Sequence, residues 1–297
     1  MNKPIVYFTK TITPASVKAL YDTLGAHLTG KIAVKLHSGE QGNQNFLPPD
    51  FWQTMIDSLG ATVVECNTAY AGARNTSEKH KKLLHDHGWD QYFTVDLMDE
   101  TGPDLVLPVE NGHVLQEDFV GKNLANYDSL LVLSHFKGHP MGGFGGALKQ
   151  LSIGCASSEG KAWIHSAGKT KDQYTVWNDL PTQNKFLESM ADAASAVARY
   201  FSGKAAYINV MKNLSVDCDC CEIAEDPCMA DIGVLASLDP IAIDQACIDL
   251  VYAAKDDPGQ AHFLERVESR NGVHTIEAAA ALGFGSREYE LICVDEA

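Results

Sequence analysis

The residues best equipped for chemistry fall in two stretches. The first, Ser134 to Cys155, reads SHFKGHPMGGFGGALKQLSIGC and sets two histidines and two lysines among six glycines. So many glycines cost backbone entropy, so something must require sharp turns or a ligand's close approach to the backbone. His135 and His139 are four apart, as on one helix face, but Gly138 and Pro140 argue against a helix and place both on a loop. Neutral imidazoles suit zinc, nickel and iron, so the pair reads either as metal ligands or as substrate-anchoring hydrogen bonders. Lys137 between them favours an anionic ligand as much as a metal. Gly142 to Lys149, GGFGGALK, has neither the Gly-Lys-Ser/Thr ending nor the GxGxxG spacing of nucleotide loops. It reads as a glycine loop opening a short helix. Gly143, Gly145 and Gly146 would let a carboxylate or phosphate reach the free N–H groups, with Lys149 as counter-charge, base or attachment point. The plainer alternative is a packed glycine turn with Lys149 in solvent.

The second stretch is Asp217-Cys218-Asp219-Cys220-Cys221. In an extended chain Cys218 and Cys220 point to one face, and Asp217, Asp219 and Cys221 to the other. Two thiolates on one face make half a site for a soft metal or an iron–sulfur cluster, with Cys228 as a further donor. The spacing is not the CxxC of a zinc ribbon or thioredoxin, and reactive, unligated cysteines are the competing interpretation. His165, after Ala162-Trp163-Ile164, is expected at the end of a short strand on the same edge, although a lone histidine is often structural. His37 and Glu40 in HSGEQG, and Arg74 in YAGAR, follow strand-like runs and offer acid/base or anion-binding groups. Glu40 reads alternatively as a turn residue and Arg74 as a surface partner for acids. His80, His85 and His87 read as a solvated helix face.

These loops need a frame. Ile5 to Phe8, Lys31 to Leu36, Ala61 to Cys66, Tyr92 to Val95, Leu130 to Leu133, Ala206 to Val210, Ile232 to Ala236 and Glu290 to Val294 are strand-like. Leu105 to Val109 and Val114 to Phe119 would pair about Asn111-Gly112. Helices are expected from Pro48 to Leu59, Ser77 to His87, Asn184 to Phe201, Ile241 to Ala254, Gln260 to Ser269 and His274 to Leu282, many with an N-cap, an early proline or a closing glycine. The alternation implies a layered α/β fold, a mainly parallel sheet with helices on both faces. In such folds ligands bind beyond the carboxyl ends of the strands.

The chain has 297 residues, 45% of them hydrophobic, and no linker or repeat divides it, so residues 1–297 are expected to form a single α/β domain. A net charge of −16 argues against nucleic acid or an anionic membrane as partner. MNKPIVYFTKTITP lacks a signal-peptide core and no apolar run approaches the roughly 20 residues of a spanning helix, so a cytoplasmic location is expected. There eight cysteines read as thiols or ligands, with Cys66, Cys247 and Cys293 as small buried hydrophobes.

Several segments together resemble the uncharacterised iron–sulfur centre proteins, domain-of-unknown-function family 362. They are VKLHSGE with Pro48-Pro49, Asn67-Thr68 with Gly72 and Arg74, Leu133 to Lys161 with His165, Asp217 to Cys220, and DIGVLASLDPIAIDQA. The residue types at these strand ends read as a metal or iron–sulfur site built from His135, His139, His165, Cys218 and Cys220, serving a redox or metal-assisted step on a small anionic substrate. The alternatives are a metal-free enzyme or binding protein that captures a carboxylate or phosphate in the glycine loop, and a thiol or electron-transfer protein with a redox partner. Many members carry a ferredoxin-like insert with two CxxCxxC runs after the position of His165. Residues 166–183 hold no cysteine, so this chain resembles a short form without it. About ten residues around Lys149 are also similar to the histidine, glycine and lysine loop of nickel-pincer lactate racemases, in which a lysine holds the cofactor.

Overall fold

The computed structural model describes residues 3–296. Its strands are β1 (Ile5–Thr9), β2 (Ile32–Lys35), β3 (Thr62–Glu65), β4 (Val95–Leu97), β5 (Leu105–Pro108), β6 (Glu117–Val120), β7 (Ser129–His135), β8 (Lys137–His139), β9 (Gly143–Gly145), β10 (Ala205–Met211), β11 (Gly233–Ser237) and β12 (Glu290–Cys293). Eight of them form one sheet in the order β12-β1-β11-β10-β7-β2-β3-β4. Only β11 is antiparallel to its sheet neighbours, so the sheet is mainly parallel, as the alternation of elements implied. β5 pairs with β6 and β8 with β9 as separate antiparallel hairpins.

Both faces of the sheet are covered. Leu131 and Leu133 of β7 face a layer containing the helices Pro14–Leu24 and Pro49–Leu59, while Leu130 and Val132 face the helices Gln183–Tyr200 and Pro240–Ala253. A central strand between two apolar layers must be apolar on both sides, which is why β7 reads as an unbroken hydrophobic run. The helix Pro14–Leu24 was not foreseen, although its signals are present: a Thr13/Ser16 capping box, a proline in the first turn and Gly25 at φ +64°. Tyr92 is not in a strand. It closes a one-turn helix, Trp89–Tyr92, in which buried Trp89 donates its indole N–H to the Ser38 carbonyl at 2.9 Å. His165 ends a helix, Ser158–His165, rather than a strand, because Ser157 caps that segment through Gly160 N–H. No helix among the described residues is long and apolar enough to cross a membrane.

The carboxyl ends of β2, β3, β7 and β10 point to one edge, and the loops that follow them carry His37 to Glu40, Cys66 to Arg74, His135 to Lys149 and Lys212 to Cys221. Under the glycine loop, Asp244 of the helix Pro240–Ala253 is fully buried. It accepts from the N–H groups of Ala147 (2.8 Å) and Leu148 (2.9 Å) and from Asn209 Nδ2 (2.7 Å). Gly146 makes this approach possible, since a Cβ there would lie 2.3 Å from Asp244 Oδ1. Asp244→Ala would leave two buried N–H groups unsatisfied and is expected to cost about 2–4 kcal/mol in urea unfolding. An unchanged midpoint would show that the loop is held otherwise.

Candidate functional site

Asp219 joins the two chemical stretches. Its Oδ1 lies 2.9 Å from His135 Nδ1 and its Oδ2 2.8 Å from Lys137 Nζ, with all three side chains buried. Burial alone would push this carboxyl up, but the charges and hydrogen bonds of His135 and Lys137 outweigh it and hold it well below the usual carboxylate range. The backbones meet as closely: Gly138 N–H donates to the Ser215 carbonyl at 2.8 Å, and a Cβ on Gly138 would come within 2.3 Å of the Val216 carbonyl oxygen. Three other groups strap the thiol loop down. Glu40 N–H donates to the Asp219 carbonyl (2.8 Å), Asn43 Nδ2 to those of Cys218 and Cys221 (3.2 and 2.9 Å), and the Tyr70 hydroxyl to that of Cys220 (3.2 Å). The segment is therefore a turn and not the extended chain the alternation of Cys and Asp implied.

The turn nevertheless delivers Cys218 and Cys220 to one place. Their sulfurs and a ring nitrogen of His139 lie within 4.8 Å of one another. Cys220 Sγ is 3.7 Å from His139 Nε2, and Lys149 Nζ is 3.0 Å from Cys218 Sγ and 4.0 Å from Cys220 Sγ. Burial and the adjacent Cys220 push the Cys218 thiol well up. Two thiols and an imidazole fit a thiophilic ion. His139 Nδ1 accepts from Met141 N–H (3.1 Å) and Gly142 N–H (2.8 Å), so its ring proton sits on Nε2 and an ion binding there would displace it.

Other residues expected in the site are placed differently. His135 offers no nitrogen to an ion, because its Nε2 lies 2.5 Å from the Lys212 carbonyl; it positions the thiol loop instead. His165 stands outside the group of three. Its Nδ1–H donates to the Lys161 carbonyl at 2.7 Å, and its Nε2 has no protein partner among the described residues. Burial brings His165 down to about 4. Cys228 turns away to the Leu214 carbonyl at 3.4 Å. Glu40 is taken up by Arg74 Nε (3.1 Å) and the Tyr70 hydroxyl (3.0 Å), which leaves Arg74 fixed on the cavity wall. His37 lines the same wall, with Nδ1 accepting from Gly39 N–H at 3.0 Å; burial and then the charges of Arg74, Lys137, Lys149 and Lys35 push it well down. Of the three glycines, Gly145 and Gly146 line the cavity, while Gly143 packs on Gly272 away from it. The helix N-terminus after the loop, expected to receive a ligand anion, receives Asp244.

The cavity beside the cluster encloses about 410 Å³, within the range of small-molecule sites. Five cations line it: Lys35, Arg74, Lys137, Lys149 and Lys161. Glu65, Glu40 and Asp219 pair with Lys35 (2.6 Å), Arg74 and Lys137, but Lys149 and Lys161 have no carboxylate within ion-pair distance among the described residues. Lys35 carries no site signal in the sequence, where it sits inside a strand-like run; β2 is covered on both faces and Lys35 is 1% exposed. His80, expected in solvent, is buried against Asn67 Oδ1 at 3.3 Å. Lys161 and Glu65 carried no local signal beyond residue type.

Fold and site together define an α/β protein with a cation-lined cavity and a Cys/His cluster at the carboxyl edge of its sheet. Residues 32–249 match the family model "Domain of unknown function (DUF362)", and the chain belongs to that family. No curated protein matches it. Among solved structures it is similar to the lactate racemase apoprotein from Thermoanaerobacterium thermosaccharolyticum, at TM-score 0.40 and 12% identity, over 69% of this chain and 50% of that one. A structural-genomics protein from Thermotoga maritima gives TM-score 0.41 and 11% identity, over 90% of this chain and 58% of that one. This chain thus spans about half the length of these solved structures.

Two predictions follow from the buried charges. Burial pushes the Glu65 carboxyl up, but Lys35, His80 and Arg74 outweigh this and hold it at about 2, against an ordinary 4.5. The folded state therefore binds this proton less tightly than the unfolded chain. The stabilisation is whole above about pH 4.5 and drains away as the pH falls towards 2. Glu65→Gln should unfold earlier in urea at pH 7 and show a flatter acid limb, and an identical limb would refute the assignment. Asp219→Ala, which strands Lys137 and His135, is expected to cost about 3–5 kcal/mol by urea unfolding.

Proposed function

We propose that this chain is a metal- or iron–sulfur-dependent enzyme that carries out a redox or metal-assisted step on a small anionic substrate in the cytoplasm. The observation that carries this reading is the convergence of His139, Cys218 and Cys220 beside Lys149, at the wall of a cavity lined by cations. His139, Cys218 and Cys220 would hold the ion, and Cys221 on the same wall offers a third thiol for a cluster. When bound, such a group supplies Lewis-acid or electron-transfer chemistry. Because residues 166–183 hold no cysteine, the chain is read as a short form of the family whose cluster, if iron–sulfur, draws on the thiol loop.

The protein's own residues supply the rest. Lys149 presents an ammonium to the cavity and stabilises negative charge on the substrate, a task that a preorganised cation performs best where water is scarce. Arg74, held by Glu40 and Tyr70, adds a fixed cation. His37 has its Nδ1 occupied, so its ring proton sits on Nε2 and can be donated to a substrate oxygen. Lys137 is committed to Asp219 and acts by position and field.

The 3.0 Å approach of Lys149 to Cys218 favours a second, metal-free reading, in which the ammonium opposes the effect of burial on the Cys218 thiol and the pair serves thiol chemistry or exchange with a redox partner protein. Metal analysis and absorption spectra of anaerobically purified protein separate the two. Stoichiometric iron, zinc or nickel is expected, falling at least about tenfold in affinity in Cys218→Ser. Wild-type protein without stoichiometric metal, but with reversible oxidation of Cys218 and Cys220, would replace the first reading by the second.

A further inference from the structure

Lys161 is the one cavity-lining cation that neither a carboxylate nor a thiol touches among the described residues. Its residue is 6% exposed, it lines the cavity, and among the described residues its ammonium donates to one protein group, the Ala156 carbonyl at 2.6 Å. Asp99, the acid of that neighbourhood, lies beyond ion-pair distance, and its oxygens receive the N–H groups of Asn67 (2.9 and 3.1 Å) and Ser158 (3.0 Å). Gln150 on the same cavity wall has a side-chain amide without a protein partner among the described residues. A buried ammonium that no carboxylate touches is costly to desolvate, and burial pulls Lys161 down from its ordinary value.

We propose that Lys161 is the anchor for a carboxylate of the substrate, forming a second pole of the cavity apart from the Lys149 and thiol pole. This deepens the reading above by naming the substrate class, a small monocarboxylate. Single charge is favoured over a phosphate dianion because the Asp99 and Glu65 carboxylates act on Lys161 from nearby, so its one positive charge is already partly offset. Gln150 supplies an amide donor to the same carboxylate. The Lys161 carbonyl also holds the Nδ1–H of His165, so the anchor and the orientation of that ring are fixed by one residue.

Titration calorimetry with glycolate, pyruvate and inorganic phosphate tests the assignment on the full chain as purified. Wild type is expected to bind the two carboxylates in preference to phosphate. Lys161→Met should weaken them about tenfold to a hundredfold, the loss of one charge-assisted hydrogen bond, while raising the thermal midpoint of the ligand-free protein. Should Lys161→Met fail to fold, Lys161→Gln retains a donor for the Ala156 carbonyl and should show the same loss. Equal binding by wild type and variant, no carboxylate binding by wild type, or preference for phosphate would each overturn the proposal. Metal content reports separately on the reading it rests on: Lys161→Met should keep the metal of wild type while losing carboxylate affinity, and wild type without stoichiometric metal that still binds carboxylate through Lys161 would leave the anchor standing and remove the metal.

Discussion

Asp219 places one negative charge between His135 and Lys137 where water does not reach, and the position of both thiols follows from it. His135 lies at the end of the central strand β7 and Lys137 at the start of the hairpin after it, so both are held by the sheet itself. Asp219 lies between Cys218 and Cys220, so fixing its carboxylate fixes the sulfurs on either side. A buried charge without partners would cost several kcal/mol, which leaves the loop no alternative place to settle. Hydrogen bonds from Glu40, Asn43 and Tyr70 then hold the backbone that Asp219 has located.

The same logic of charges sealed from water runs through the cavity. Lys35 with Glu65 and Arg74 with Glu40 are internal pairs that build its walls at no net charge. What remains is the positive surplus of Lys149 and Lys161, at separate points of the lining. A site built to attract an anion needs such a surplus, and it exists inside a chain whose overall charge is −16. The acidic surface therefore reports on the bulk of the molecule and says nothing of the cavity.

Much of the frame was legible in the sequence because local signals and tertiary demands coincide. The helix Pro240–Ala253 begins at Asp239 and Pro240, a cap and a first-turn proline, and β7 is apolar on both faces because both are covered. The glycine loop was legible as a place of close approach but not for its partner. Gly146 makes room for Asp244, about a hundred residues on, and no local pattern can reveal which internal group fills a gap. The histidines show the same limit. His135 and His139 look alike as residue types, yet one spends both nitrogens on Asp219 and Lys212 while the other faces the thiols.

The layered α/β class, the order of most strands and helices, and the two stretches from which the cluster is drawn can all be read from local patterns in the chain. These rest on periodicity, caps and residue chemistry, which act over a few residues. Which donors meet, that a helix rather than a strand carries His165, that Lys35 and His80 are buried, and that Lys149 and Lys161 lack a carboxylate partner among the described residues emerge only in the folded chain. Those outcomes depend on through-space charge pairing and on exclusion of water by distant segments. Both are properties of the packed chain and are invisible to any short window of it.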